Sequence, residues 1–152
     1  MKEETDRLDS IDLRIVRELE RDARQSFARL AEKVGLSKSP VQARVKRLER
    51  LGVIRGYAAR VDHARLGAGH VAFAQVTLSD TRSHALEAFN RAVADIPQIV
   101  ECHMIAGGFD YLLKIRTRDI GAYRRLLGET LSRLPHVSHS STFVVMEAVK
   151  DD

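Results

Sequence analysis

The chain has 152 residues, of which 44% are hydrophobic and 30% charged, as is typical of globular proteins that fold in water. It contains no apolar run of the about 18 residues that a membrane span needs, and its acidic, polar start lacks the apolar core of a secretory signal. The single cysteine, Cys102, excludes an internal disulfide framework, fits a reducing cytoplasm and is expected to be a packed small hydrophobe.

The net charge of +4 is unevenly distributed along the chain. Residues 1–65 contain 16 Lys and Arg against 11 Asp and Glu, a net charge of +5, whereas residues 66–152 contain 9 against 10, a net charge of −1. Five basic residues and one acid lie within residues 38–50. This distribution predicts that the first part of the chain binds a polyanion and that the second part has another task.

Three amphipathic helices are predicted in the first part. The first runs from near Ser10 to about Arg21, with Asp9 or Ser10 as its N-cap and Asp12 in the first turn, where the helix dipole favours an acid. Two more lie within residues 27–52, because apolar residues recur there at i, i+3, i+4 and i+7 around a tight turn. Three helices of this size form a compact core.

The last of these helices, with Ser37 as its expected N-cap and Pro40 at its third position, has a polar and basic outward face. That face comprises Ser39, Gln42, Ala43, Lys46, Arg47 and Arg50. A helix-turn-helix with such a second helix is typical of proteins that read the major groove of DNA. The alternative is a helical hairpin whose basic face is merely solvated. The predicted DNA-binding residues are Lys38, Ser39, Gln42, Arg44, Lys46, Arg47 and Arg50.

After Gly52, the expected C-cap of this helix, apolar residues alternate with period two. Residues 53–62 are therefore predicted to form a strand or an extended wing, so the first domain is a trihelical or winged helix-turn-helix domain. Arg55 and Arg60 could touch phosphates from this segment, or it could be a solvated linker. The glycines that follow suggest domains at residues 1–62 and 63–152.

The second part alternates between strand and helix patterns. Strands are predicted at residues 70–78, 99–106, 111–117 and 137–149, and helices at residues 83–95 and from a cap at Asp119 to Leu134. The order βαββαβ is that of a ferredoxin-like sandwich, which makes the protein an α+β protein. Its helices cover one face of the sheet, and a second copy of the chain is the expected cover of the other face.

A glycine pair lies in the loop between the second and third predicted strands, in the sequence from Gly107 to Tyr111. Glycines allow a close approach of the backbone to a ligand, and Asp110 could pair with an ammonium group of that ligand. A plain hairpin turn, in which Asp110 bonds to its own backbone, explains the same residues. The hydroxyls of Ser140, Ser141 and Thr142 are secondary candidates for contacts with such a ligand, and the alternative is that they are ordinary hydroxyls of a strand.

An enzyme is not expected. The sequence has no Ser or Cys nucleophile with a positioned His, no phosphate-binding glycine loop after a strand and no CxxC pair. His136 and His139 lie three apart on a predicted strand and therefore on opposite faces, which makes them a poor metal pair. We expect neither a metal nor a cofactor.

Five segments resemble those of the Lrp/AsnC, or feast/famine, family of transcriptional regulators. They read LDSIDLRIVREL, LAEKVGLSKSPVQARVKRLERLGVIRGY, VECHMIAGGFDYLLKIR, AYRRLLGETLSRLP and TFVVMEAVK. Their order and spacing cover nearly the whole chain. The sequence is most similar to the leucine-responsive members, but it has Gly108 where they carry an acid and Ser140-Ser141 where they carry Thr-Arg.

The resemblance implies a regulator of amino-acid metabolism genes that binds double-stranded DNA in the cytoplasm as a nucleoid-associated protein. It implies dimers formed through the ferredoxin-like sheets, assembly into octamers or other higher oligomers, and an amino-acid effector bound between dimers. The implied effector-binding residues are Gly107, Gly108, Phe109, Asp110, Tyr111, Ser140 and Thr142. An architectural protein that compacts DNA without responding to an effector is the alternative. No membrane partner is expected.

Overall fold

The computed structural model describes residues 7–150, which divide into two compact units between Ala59 and Arg60. The sequence-based boundary after residue 62 lies in the same connecting segment. The N-terminal unit contains three helices, α1 (Ser10–Arg21), α2 (Phe27–Val34) and α3 (Lys38–Arg50). The trihelical prediction is thus confirmed.

Local hydrogen bonds fix the ends of these helices. At α1, the Asp9 carboxylate accepts from the Asp12 N–H and the Asp12 carboxylate accepts from the Asp9 N–H, a reciprocal capping box. Ser26 caps α2, and Gly35 ends it in the left-handed conformation at φ 74°. Ser37 occupies the N-cap position of α3 as predicted, but its side chain makes no capping hydrogen bond.

The apolar stripes of the three helices meet in one core. Ile15 of α1, Leu30 and Val34 of α2, and Val41 and Leu48 of α3 are at most 3% exposed. These are the positions that the helical period predicts. The core therefore fixes which side of α3 remains available to a partner.

The strand predicted for residues 53–62 is absent, since the structure contains neither helix nor strand between α3 and His70. The N–H groups of Val53 and Ile54 both donate to the carbonyl of Leu48, which folds the chain back onto the end of α3. No other strand lies in the described part of the N-terminal unit, so this segment has no ladder to join. The alternating pattern here marks an irregular connection.

The second unit contains four strands and two helices in the predicted order βαββαβ. The elements are β1 (His70–Leu78), α4 (Ser83–Ala94), β2 (Ile99–Met104), β3 (Tyr111–Thr117), α5 (Ile120–Glu129), a short 3₁₀ helix (Leu131–Arg133) and β4 (Val137–Val144). The strand order is β2-β3-β1-β4, with every neighbouring pair antiparallel. This is the arrangement of a ferredoxin-like sheet, as predicted.

Four predicted elements were too long: the helix after Asp119 and the last strand by five residues each, β2 by two and α4 by one. The helix after Asp119 ends at Glu129, because the backbone leaves the helical region at Thr130 and the Ser132 hydroxyl takes the Leu127 carbonyl at 2.7 Å. Strand β4 ends at Val144, opposite Ala72 of β1, and the Val145 N–H adds one bond to the Val71 carbonyl. Because β1 begins at His70, it offers no partner to residues 147–149.

The two faces of the sheet differ in burial. Ala72, Ala74 and Val76 of β1 are buried with residues of both helices in the core, where the rings of Phe89 and Tyr111 lie 4.5 Å apart. The intervening β1 residues point to the opposite face. There Phe73 pairs in register with Phe143, which is 52% exposed. One face is therefore covered by helices and the other is left open within the chain.

Candidate DNA interface and effector site

A row of four exposed residues follows the outer side of α3. Ser39, Ala43, Lys46 and Arg50 lie at i, i+4, i+7 and i+11, so they share one face of the helix, and all four are exposed. Neither Lys46 nor Arg50 forms an ion pair within residues 7–150. The row offers two free cations and a hydroxyl to a partner that approaches α3 from outside.

The remaining polar positions of the helix flank this row. Lys38 is exposed in the first turn, and Gln42 is half-buried next to Lys46. A glutamine amide has both donor and acceptor groups, so it can read the edge of a base, whereas lysine acts as a point charge for phosphate. Of the seven residues predicted to bind DNA, these two and the exposed Ser39, Lys46 and Arg50 face outward.

The other two predicted residues, Arg44 and Arg47, point toward α1. Arg44 Nη1 lies 2.7 Å from both Asp9 Oδ2 and Asp12 Oδ1. Arg47 Nη1 lies 3.0 Å from Asp12 Oδ2, and its Nη2 donates to the carbonyl of Arg7 at 3.1 Å. The placement of Arg47 on the outward face was therefore wrong, because an acid on α1 draws its guanidinium group inward.

The carboxylate that receives both arginines is fully enclosed. The side chain of Asp12 is 1% exposed, while those of Arg44 and Arg47 are 29% and 24% exposed. The pKa of Arg44 is raised, first by its hydrogen bond to Asp12 and then by that to Asp9. The pKa of Asp9 is lowered, chiefly by the Asp12 N–H and next by Arg44. The four side chains form a compact ionic cluster between α1 and α3.

The loop predicted to bind an effector is a hairpin between β2 and β3. The Ile105 N–H donates to the Asp110 carbonyl at 2.8 Å, which closes the loop. Gly107 and Gly108 are exposed, Phe109 is half-buried, and neither glycine has a positive φ. A Cβ atom built on Gly108 meets nothing within 4 Å. Open space above Gly108, and not left-handed backbone, is thus the property that this loop offers a ligand.

Asp110 already has a partner in the sheet. Its Oδ2 accepts from the N–H of Leu78 at 2.7 Å, and its own N–H donates to the Val76 carbonyl at 2.9 Å. The first bond satisfies an amide at the end of β1, where the pairing with β4 shifts register. Asp110 therefore supports the sheet through its Oδ2 atom, and does not bond to its own backbone as the plain hairpin alternative supposed.

The remaining predicted effector residues lie on the helix side of the sheet. Tyr111 is 2% exposed in the core, and burial raises the pKa of its hydroxyl. Thr142 lies with its Oγ1 2.6 Å from the hydroxyl of Tyr123 on α5. Ser140 is half-buried opposite Val76. The structure thus brings Asp110 and Ser140 to either side of Val76, buries Tyr111 in the core and leaves Thr142 exposed.

A cavity of about 390 Å³ opens beside Tyr111 between α4 and the edge strand β2. Its lining consists of Asn90, Val93, Ala94, Cys102, Met104 and Tyr111. Cys102 is exposed on this edge strand, so the prediction of a packed residue was wrong. Partial burial of its sulfur against the cavity walls still raises the pKa of the thiol, which makes it a poor nucleophile.

Comparison with known proteins decides the family. Residues 8–49 match the AsnC-type helix-turn-helix domain, and residues 71–152 match the Lrp/AsnC ligand binding domain. The chain belongs to the Lrp/AsnC family. It is therefore a DNA-binding transcriptional regulator and not an enzyme, and α3, the last helix of the matched domain, is its candidate recognition helix.

The chain is similar to several transcriptional regulators over nearly its whole length. A proline dehydrogenase transcriptional activator from Rhizobium radiobacter is 56% identical over 147 residues, which are 97% of this chain and 94% of that protein. One from Rhodobacter capsulatus is 54% identical, covering 95% of this chain and 94% of its own. The leucine-responsive regulatory protein of Escherichia coli K12 is 49% identical, over 94% of this chain and 87% of its own.

Solved structures of the family have the same fold. A transcriptional regulator from Neisseria meningitidis in complex with L-Met superposes with a TM-score of 0.90 at 30% identity, covering 95% of this chain and 94% of its own. An AsnC family transcriptional regulator from Agrobacterium tumefaciens gives a TM-score of 0.89 at 30% identity, with the same two shares covered. Every helix within residues 7–150 is too short or too polar to span a bilayer.

Proposed function

We propose that this Lrp/AsnC regulator binds specific operators of amino-acid metabolism genes and that a small amino acid modulates this binding. The observation that carries the proposal is the exposed row on α3, in which Lys46 and Arg50 are free to meet phosphates. Ser39 and the neighbouring Gln42 are the residues proposed to reach base edges, and Lys38 contributes a further phosphate contact. The protein acts on chromosomal DNA in the cytoplasm.

The active unit is proposed to be a homodimer or a higher assembly of dimers. The open sheet face supports this, because Phe73 and Phe143 form an apolar pair there. Within the single chain Phe73 is half-buried and Phe143 is exposed. A second copy that covers this face brings two recognition helices to one operator, which then has approximate two-fold symmetry. Assembly of several dimers to an octamer adds avidity, so that contacts of modest strength suffice.

The amino acid is proposed to bind at the loop from Gly107 to Asp110, where neighbouring dimers meet. The space above Gly108 supports this position. Within the single chain the loop is an open hairpin, so a second dimer is needed to enclose the ligand. The Neisseria relative was solved with L-Met, which supports an amino acid as the class of ligand.

The names of the relatives suggest a first target. Two proteins that are more than half identical to this chain activate the gene of proline dehydrogenase. We therefore propose the promoter of a proline dehydrogenase gene in the same genome as the first operator to examine, with proline, leucine and methionine as the first effectors.

Fluorescence anisotropy on labelled duplexes tests this function. The full-length protein is titrated onto that promoter fragment and onto a scrambled duplex of equal length, at several salt concentrations, with and without each of the twenty amino acids. We expect the promoter to bind about 10³-fold or more tightly than the scrambled duplex, and one amino acid to change that ratio. Equal binding to both duplexes, unaffected by every amino acid, would support the architectural alternative.

A further inference from the structure

The ionic cluster between α1 and α3 separates the basic residues of the recognition helix into two groups. Arg44 and Arg47 contact carboxylates at 2.7 and 3.0 Å, whereas Lys46 and Arg50 are exposed and have no carboxylate partner within the described chain. All four positions lie within seven residues of one helix. Their net charge therefore overstates the charge that α3 can present to DNA.

The enclosure of Asp12 determines which arrangement persists. A carboxylate that is 1% exposed has lost its water and depends on its partners for compensation. Its Oδ1 accepts from Arg44, and its Oδ2 accepts from Arg47 and from the Asp9 N–H. If either arginine turned outward to a phosphate, this carboxylate would lose a charged partner while remaining buried. Lys46 and Arg50 can bind a phosphate without leaving a carboxylate of residues 7–150 unpaired.

We propose that Asp12 is a positioning residue of the recognition helix, whose carboxylate holds the guanidinium groups of Arg44 and Arg47 against α1 and so leaves the phosphate attraction to Lys46 and Arg50. Asp9 assists through its own bond to Arg44 at 2.7 Å. The two ion pairs join α1 to α3 across more than thirty residues of sequence. This inference rests on the proposed function, because it assumes that α3 faces the DNA.

The salt dependence of DNA binding distinguishes the two groups. Each phosphate contact that is lost lowers the slope of log Kobs against log salt by about 0.9. Lys46→Gln and Arg47→Gln remove the same charge from adjacent positions, so they form a matched pair. We expect Lys46→Gln to reduce the slope by about 0.9 for each recognition helix and to leave the thermal midpoint unchanged. Arg47→Gln is expected to lower the thermal midpoint and to retain the wild-type slope.

A double variant keeps the test decisive if Arg47→Gln folds poorly. Asp12→Asn combined with Arg47→Gln removes both charges of one buried pair and leaves Arg44 paired with Asp9. We expect the thermal midpoint of the double variant to lie above that of Arg47→Gln, and its salt-dependence slope for DNA binding to equal that of the wild type. A slope reduced as much as that of Lys46→Gln, in either the single or the double variant, would overturn the inference while leaving the proposed function intact. Absence of salt-dependent DNA binding by the wild-type protein would contradict both.

Discussion

Replacing the buried acid of α1 gives the sharpest stability prediction. Asp12→Ala removes two charge-assisted hydrogen bonds, to Arg44 and Arg47, and one acceptor that the Asp9 N–H uses. Each charged hydrogen bond contributes about 1.5–3 kcal/mol when both partners are buried. The arginines are about a quarter exposed and regain water in the variant, so we take about 1 kcal/mol for each.

Loss of the capping acceptor adds about 1 kcal/mol, which brings the expected destabilisation to about 3 kcal/mol. A unit of this size has a stability of only several kcal/mol, so the midpoint of its urea transition should fall markedly. Circular dichroism at 222 nm follows this transition, analysed separately from that of the second unit. The control is Glu20→Ala, since Glu20 is exposed on the same helix and has no ion pair within residues 7–150. A loss within 1 kcal/mol of the control would refute the reasoning.

Three further outcomes follow from other parts of the fold. Gly35→Ala should destabilise the N-terminal unit by about 1–2 kcal/mol, since φ at Gly35 is 74°. Gly128→Ala should stabilise the second unit by up to about 1 kcal/mol, because Gly128 lies within helix α5 and an added Cβ meets nothing within 4 Å. Calorimetry measures both changes. Phe143→Glu should give monomers in sedimentation velocity, whereas Ile120→Glu, equally exposed but on a helix, should remain dimeric; dimers of Phe143→Glu would contradict the proposed interface. The pKa of Asp9 is lowered in the folded chain, so as pH falls the unfolded chain takes up this proton first; the stabilisation by Asp9 is present above about pH 4 and is lost as pH falls through the folded pKa. Urea midpoints measured between pH 6 and pH 3 should therefore depend less on pH in Asp9→Asn, which keeps the cap, than in the wild type. An unchanged pH dependence would exclude this role of Asp9.

The sequence predicted the regular elements well because each is specified by local signals. Strands β1 and β3 have the predicted bounds, since their residues alternate strictly and their ends are marked by turn residues. Helix α1 has Asp9, one of its two predicted caps, at the N-cap position. The early end of α5 is a local effect at Thr130 and Ser132, but other errors lie where the outcome depends on partners distant in sequence. Residues 53–62 alternate like a strand, but no neighbouring strand is available to them.

The candidate sites were predicted less completely, for a related reason. Helical periodicity gives the direction of each α3 side chain from the helix axis, but it does not tell which element lies on that side. Asp12 was attributed to the helix dipole alone, although its side chain binds Arg44 and Arg47 more than thirty residues away. An acid on the apolar side of α1, next to Ile11 and Ile15, was the available signal. Likewise, the sequence of the effector loop could not reveal that Asp110 bonds to β1.

The central claim is that the outer side of α3 reads DNA sequence, and Gln42→Ala tests it most directly. The measurement is the ratio of the affinities for the operator and for a scrambled duplex, determined by anisotropy at one salt concentration. A side chain that contacts a base contributes about 1–3 kcal/mol of discrimination, so the ratio should fall by about 10-fold or more while the affinity for the scrambled duplex is retained. An unchanged ratio in Gln42→Ala would contradict the claim.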